Sequence, residues 1–400
     1  MRQVKTFFTL LPSKLLGTFL YYLDSHKLLE YMKSSISEQT LLIIGLVTMS
    51  CLPMMAQTAS PTPPIKEEEQ VIKVDSRLVV VPVSVVDSNG EPVLGMKAEN
   101  FRILEDNRPQ TIDSLGNAEN VPLEIALLFD VSASSDAMFQ FQKDTAAKFL
   151  QDVLRGEDRA TIFTIGQRST LVQPRDTAEK SILALKSITS TKEQTAFYDS
   201  VRIAANYLEK NSPQGRRKVI VVISDGEDTN SDGVLSAIWN AERKIADTVV
   251  GNQLKEIRVR ARDTAKVVEQ VKVLKALQNA DSVLYSINPG GSSIQLNKMA
   301  VFGQENMQKF ADETGGTAFL PKFQPVETKD ALQNSVNIRK NTETLERIFR
   351  QLANELRAQY LVQYYSESEF ATNKYVKLDV ALQNPGNMRV RARQGYYVKN

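Results

Sequence analysis

LEIALLFDVSASSD, residues 123–136, passes from a hydrophobic run straight into Asp130 and three serines, Ser132, Ser134 and Ser135. A short apolar run stopped by turn residues reads as a strand buried on both faces, the habit of parallel sheets. The polar segment after the run has two readings. Asp and Ser are ordinary loop residues that bond to local backbone and help start a helix. Alternatively, Asp130, Ser132 and Ser134 bring their oxygens to one side of a tight loop, as a hard metal ion requires.

Working outward, the same kind of run recurs in RATIFTIG (159–166), KVIVVISDG (218–226), DSVLYSINP (281–289) and GTAFLP (316–321). Helical patterns around 138–154, 177–187, 195–210 and 303–314 separate the runs. This alternation predicts an α/β class: a doubly wound, mostly parallel sheet with helices on both faces. The stretch 234–280 is too long for one crossover helix and is densely charged, with a soft break at Gly251-Asn252. It reads as a long helical insertion of two segments that projects from the domain with a solvated face. A further helix is expected at 342–358.

The flanks are different. Val81, Val83 and Val85 alternate with other residues, and DSNGEP (87–92) supplies a turn; Pro82 points to an edge position. AQYLVQYYS, KYVKLDVAL and MRVRARQGYYV alternate apolar and polar residues near the other end, with turn signals between them. Strands at 77–120 and 360–400 are therefore expected to combine in one β-sandwich-like unit. The α/β domain would occupy 121–322, and 323–359 would be a connecting segment and helix.

The chain has 400 residues, 49 Lys and Arg against 47 Asp and Glu, one histidine (His26) and one cysteine (Cys51). The near balance of charge gives no basis for a nucleic-acid partner. The apolar stretch from Leu41 is short for a membrane span and suits a signal-peptide core, with Ala56-Gln57 as a cleavage point. Residues 1–56 are thus expected as a signal region, with translation starting at Met32, and 57–76 as a Pro-rich linker. An uncleaved anchor or a lipoprotein at Cys51 are the alternatives; either way the body leaves the cytoplasm, secreted, periplasmic or held at the envelope. The membrane would be touched only through that segment. Once it is removed, neither His nor Cys remains, which excludes a Ser-His-Asp triad, a thiol nucleophile and a His/Cys zinc site. A metal would have to be held by oxygen, so Mg²⁺, Mn²⁺ or Ca²⁺.

In an open α/β sheet, ligands bind beyond the carboxyl ends of the strands where the strand order reverses. Asp130 closes one run and Asp225 another, while Thr195 in TSTKEQTAFYDSV stands at the mouth of a helix. The set Asp130, Ser132, Ser134, Thr195 and Asp225 resembles the metal-ion-dependent adhesion site of the von Willebrand factor type A domain: Asp-x-Ser-x-Ser, a Thr in a second loop and an Asp in a third. The flanking strands resemble those of secreted bacterial proteins called von Willebrand factor A-related acidobacterial proteins. The resemblance implies that Ser132, Ser134 and Thr195 meet the ion directly or through water, with Asp130 and Asp225 partly behind them. It also implies an open position for an acidic side chain of a protein partner, hence a protein-binding module and no enzyme. Glu193 and Gln194 depart from the glycines common there, which makes Thr195 the least secure ligand.

DTNSDG (228–233) imitates the start of an EF-hand loop, but its twelfth position is Trp239 instead of a bidentate Glu. A phosphoryl-transfer enzyme would need a second acid beside Asp130 or a phosphate cradle, and the motif offers neither. The rival readings are a structural envelope protein with a non-functional metal site and, further off, a Mg²⁺-dependent hydrolase.

Overall fold

The computed structural model describes residues 77–399, apart from 133–135, 246–248, 290–297 and 327. The expected signal region, the linker and Ser134 lie outside the described residues. Among them no helix is long and apolar enough to cross a membrane.

The chain opens with strands β1 (Arg77–Val86), β2 (Phe101–Glu105), β3 (Arg108–Gln110) and β4 (Ser114–Asn117). It then alternates through β5 (Leu123–Asp130), α1 (Asp136–Val153), β6 (Arg159–Ile165), β7 (Ser169–Asp176), α2 (Ala178–Ser187), α3 (Phe197–Asn211) and β8 (Arg217–Ile223). There follow α4 (Asp232–Glu242), α5 (Asn252–Asn279), β9 (Ser282–Ile287), α6 (Lys298–Thr314), β10 (Ala318–Phe319) and α7 (Ala331–Ala358). It closes with β11 (Tyr360–Ser366), β12 (Tyr375–Leu382), β13 (Arg389–Ala392) and β14 (Gly395–Tyr397).

The central sheet has the order β10-β9-β8-β5-β6-β7 and is parallel except for β7. This is the doubly wound order, with its switch point between β5 and β8. Every residue of β5 is buried. Its odd positions, Leu123, Ile125, Leu127 and Phe129, pack with α1, α2 and α7, while Ala126 and Leu128 pack with α3, α5 and α6. Each large side chain so enclosed contributes about 1.5–3 kcal/mol of burial free energy. Glu124, near the start of the strand, is met by Arg175 Nε and Nη2 at 2.9 and 2.8 Å and by Arg216.

The flanking strands form two four-stranded sheets, β13-β1-β11-β4 and β14-β12-β2-β3, with one shared core. The β-sandwich read from the sequence is therefore present, and each sheet mixes strands from both ends of the chain. Glu105 sits at its centre, wholly buried, and accepts hydrogen bonds from Tyr364, Tyr396 and Ser366 at 2.7–2.8 Å. The expectation for Pro82 is corrected: β1 is an inner strand. The β13 ladder starts only at Val83, so the residue that lacks an N–H lies just outside it.

Asn117 pairs with Tyr360. The chain thus leaves the sandwich at one of these positions, builds the α/β unit, and returns at the other. Gln359 joins the two units, accepting from Arg217 Nη1 at 2.9 Å and donating to Tyr285 at 3.1 Å and Ser84 at 3.2 Å.

Two elements depart from the sequence expectations in extent. The helix expected from 342 starts at Ala331, capped by Asp330, whose carboxylate accepts from Leu332 and Gln333. In the 234–280 stretch, α4 already ends at Glu242, well before the expected break at Gly251-Asn252, and α5 starts at Asn252. The second half of α5 does not project: Ala265, Val273, Ala276 and Leu277 enter the core on the α3 face.

Candidate metal centre

Asp130 ends β5 and is 8% exposed. Its Oδ1 accepts from the Ser132 backbone N–H at 2.9 Å and from Ser132 Oγ at 2.6 Å. Its Oδ2 accepts from Ser224 Oγ at 2.6 Å. Burial pushes the Asp130 carboxyl up to about 6, with the neighbouring charge of Asp225 adding to the rise and the serine bonds opposing it. Asp225, just past β8, is raised by burial, and its Oδ1 accepts from Glu227 N–H at 2.9 Å. Glu227 is raised as well, first by burial and then by Asp225. Three carboxyl groups therefore crowd one sheet edge, with Lys266 and Arg262 partly offsetting Glu227, and a cation would relieve the crowding.

The second loop is laced to the other two. Ser190 Oγ and the Thr191 N–H donate to Val131 O at 3.1 and 2.9 Å. Thr195 O accepts from Thr229 and Asn230 N–H at 2.9 and 3.0 Å, and its own N–H donates to Thr229 Oγ1 at 3.0 Å. Glu193 and Gln194 point to solvent and Thr195 is buried, so the bulk that replaces glycine lies outside the loop's inner face. Lys192 takes the left-handed conformation there, at φ 56°.

The structure thus brings Asp130, Ser132 and Asp225 to one end of the sheet and ties the Thr195 loop to both neighbouring loops. Ser134 lies outside the described residues. Ser224 is the residue sequence reasoning missed. It bonds Asp130 and accepts from Gly226 N–H at 3.0 Å, so one buried hydroxyl ties the end of β5 to the Asp225 turn. Its signal was hidden inside an apolar run.

Helix α6 backs this turn. Gly226 has φ 76°, and a Cβ there would stand 2.5 Å from Gly303 O. A Cβ on Gly303 would stand 2.6 Å from Asp225 O and 2.9 Å from Glu227 N. Only two facing glycines allow this approach.

The donor set fits a hard divalent ion. It is all oxygen, both oxygens of Asp130 are held by hydroxyls, and one oxygen of Asp225 is left without a hydrogen bond among the described residues. The DTNSDG stretch is a structural corner: Asp228 is buried and accepts from Tyr198 N–H and Ser231 N–H at 2.9 and 3.1 Å.

Residues 125–227 match the von Willebrand factor type A domain family. No curated protein matches the chain. Among solved structures, the chain is similar to the PilB minor pilin from Streptococcus sanguinis, at 13% identity and TM-score 0.39, over 60% of this chain and 63% of that one. It therefore spans less than two thirds of that pilin's length. An aerotolerance-related membrane protein from Bacteroides fragilis is 14% identical with TM-score 0.30, over 57% of this chain and all of that one. Proximal thread matrix protein 1 from the mussel byssus, with a zinc-occupied MIDAS motif, is 12% identical with TM-score 0.36, over 64% of this chain and 50% of that one.

Proposed function

We propose that the von Willebrand type A domain of this chain is a metal-dependent protein-binding module of a secreted or envelope-associated protein, akin to the von Willebrand factor A-related acidobacterial proteins. The observation that carries this reading is the crowding of Asp130, Asp225 and Glu227 beside hydroxyl donors at the switch point of the sheet. Such modules are generally not enzymes. Ser132, Ser134 and Thr195 would hold Mg²⁺, with Mn²⁺ or Ca²⁺ as substitutes, and Asp130 and Asp225 would orient its waters and offset its charge. The bound ion would supply an electrophilic position that an acidic side chain of a protein partner completes. Ser224 and Ser132 fix the Asp130 carboxylate before the ion arrives, so little reorganisation opposes binding.

A ligand bound only by the folded state stabilises it by about 2.7 kcal/mol at a hundred times its dissociation constant. The wild-type chain should melt higher in saturating Mg²⁺ than in EDTA, and Asp130→Ala should show almost no difference while remaining folded. Capture of an envelope protein should depend on Mg²⁺ and fail with Asp130→Ala. Equal Mg²⁺ affinity in both chains by calorimetry would reduce the DVSAS segment to a structural loop.

A further inference from the structure

The opposite pole of the central sheet holds a second feature. A cavity of about 490 Å³ lies where the amino-terminal ends of β8 and β9 meet the sheet of β1 and β11. At about 3.3 Å per residue, the length of β8 puts it roughly 20 Å from the metal loops. Among the described residues six cationic ones line it, Arg77, Arg216, Arg217, Lys218, Arg393 and Lys399, against one carboxylate, Asp281.

Local partners satisfy these cations only in part: the Tyr396 ring lies 5.3 and 5.4 Å from the Arg77 and Arg393 guanidinium carbons, and Glu209 stands 4.0 Å from Lys399. Asp281 already accepts from Arg393 Nη1 at 2.8 Å and Lys399 Nζ at 3.0 Å, and Arg216 is turned to Glu124. Arg217 is 8% exposed. Its Nη1 donates to Leu356 O and Gln359 Oε1 at 2.8 and 2.9 Å. Among the described residues its Nε and Nη2 are buried without a hydrogen-bond partner. Arg77 donates through Nη2 to Tyr396 OH at 2.9 Å, and Arg393 through Nη2 to Val80 O at 2.9 Å, yet the Nε of each is also buried and has no hydrogen-bond partner among the described residues. Buried donors are almost always paired, and a charged one left alone is the costlier case. Burial lowers Arg217 to about 10 and lowers Lys218 too.

We propose that this cavity binds a small phosphate-type oxyanion, free phosphate or a phosphate monoester, held by Arg217, Arg77 and Arg393 and bridging the α/β domain to the sandwich. Guanidinium forks match tetrahedral oxyanions in planar, paired hydrogen bonds. The volume exceeds that of a bare ion, and Val80, Pro82 and Leu361 in the lining accommodate the organic part of an ester. Arg217 opens β8, Arg77 opens β1 and Arg393 follows β13, so one anion would engage both units at once.

The test is calorimetry on the full chain in EDTA, with inorganic phosphate and glycerol phosphate as probes and sodium chloride at matched ionic strength as control. Saturable one-to-one binding is expected, unchanged in Asp130→Ala. Each of Arg77→Gln and Arg393→Gln should weaken it about tenfold, the effect of one charge-assisted hydrogen bond. Arg217→Gln should weaken it further; because that change also removes two structural bonds, Arg77→Gln and Arg393→Gln are the deciding variants. Tighter binding of glycerol phosphate would assign an ester, and tighter binding of inorganic phosphate the free ion. No saturable heat with either probe, equal affinity in a folded Arg77→Gln/Arg393→Gln chain, or heat reproduced by sodium chloride would overturn the proposal.

Discussion

Ser224 holds one oxygen of Asp130 while accepting from Gly226, and it has no contact with solvent. Replacing it with alanine removes one hydrogen bond to a carboxylate, about 1.5–3 kcal/mol, and frees that carboxylate to rotate. Residues that orient ligands in this way cost roughly 10–100-fold in metal affinity when removed. Ser224→Ala should therefore bind Mg²⁺ weakly by calorimetry, where Asp130→Ala binds almost none. Wild-type affinity in a folded Ser224→Ala chain would leave the hydroxyl a purely local role. Asp130 and Asp225 stood out in the sequence as carboxylates that close apolar runs, and Ser132 and Thr195 through the resemblance they complete. Ser224 was not, because a serine at the tail of KVIVVISDG reads as part of the strand.

At the scale of elements, the loops proposed to hold the metal depend on how closely α6 lies against the Asp225 turn. A methyl group on Gly303 would meet backbone atoms on the other side, which cannot swing aside as a side chain does. Gly303→Ala should push α6 outward and shift the turn, at about 1–3 kcal/mol in stability. It should also lower Mg²⁺ affinity, whereas Gly156→Ala, with open space around it, should do neither. Thermal melts and calorimetry on both variants decide; an unchanged Mg²⁺ affinity in Gly303→Ala would separate the helix from the site. The buried strands were legible because a parallel strand covered on both faces is apolar throughout. β7 was missed: it is an antiparallel edge strand carrying Pro174 and half-exposed residues. The first turns of α7 were missed because asparagines mark their inner face. Asn337 donates to Pro325 O at 2.7 Å and Asn341 to Gln324 O at 2.9 Å, in place of an apolar stripe.

Across the whole molecule, Glu355 on α7 faces Arg391 on β13 at 3.5 Å, with side chains 2% and 25% exposed. Burial raises the Glu355 carboxyl and Arg391 pulls it back. A raised folded-state pKa means that stability is greatest with the proton bound and declines as pH rises through that pKa. Arg391→Gln removes the counter-charge and makes that decline steeper. At pH 8 the variant should be less stable than wild type by about 2 kcal/mol, reduced from a fully buried pair because Arg391 is partly solvated. The two should converge near pH 4.5, where Glu355 is protonated. Parallel urea melts at both pH values measure this, and a pH-independent difference would show that Arg391 acts through packing alone. That the sandwich draws on both ends of the chain was legible from matching alternation in the flanks. The contacts that lock it to the α/β unit were not, since pairs such as Gln359 with Arg217 and Glu355 with Arg391 follow from the packing of the two units and leave no periodic signal in the chain.

The pairing of Asn117 with Tyr360 makes the α/β domain the loop of a hairpin. Closing that hairpin around roughly 240 unfolded residues costs on the order of 5 kcal/mol in chain entropy, against about 1 kcal/mol for a loop of a few residues. Once the guest domain folds, its ends are held side by side and the larger cost disappears. The host sandwich thus gains on the order of 3–4 kcal/mol from a domain it merely brackets. Whatever binds and stabilises the guest then stabilises the host as well, without touching it.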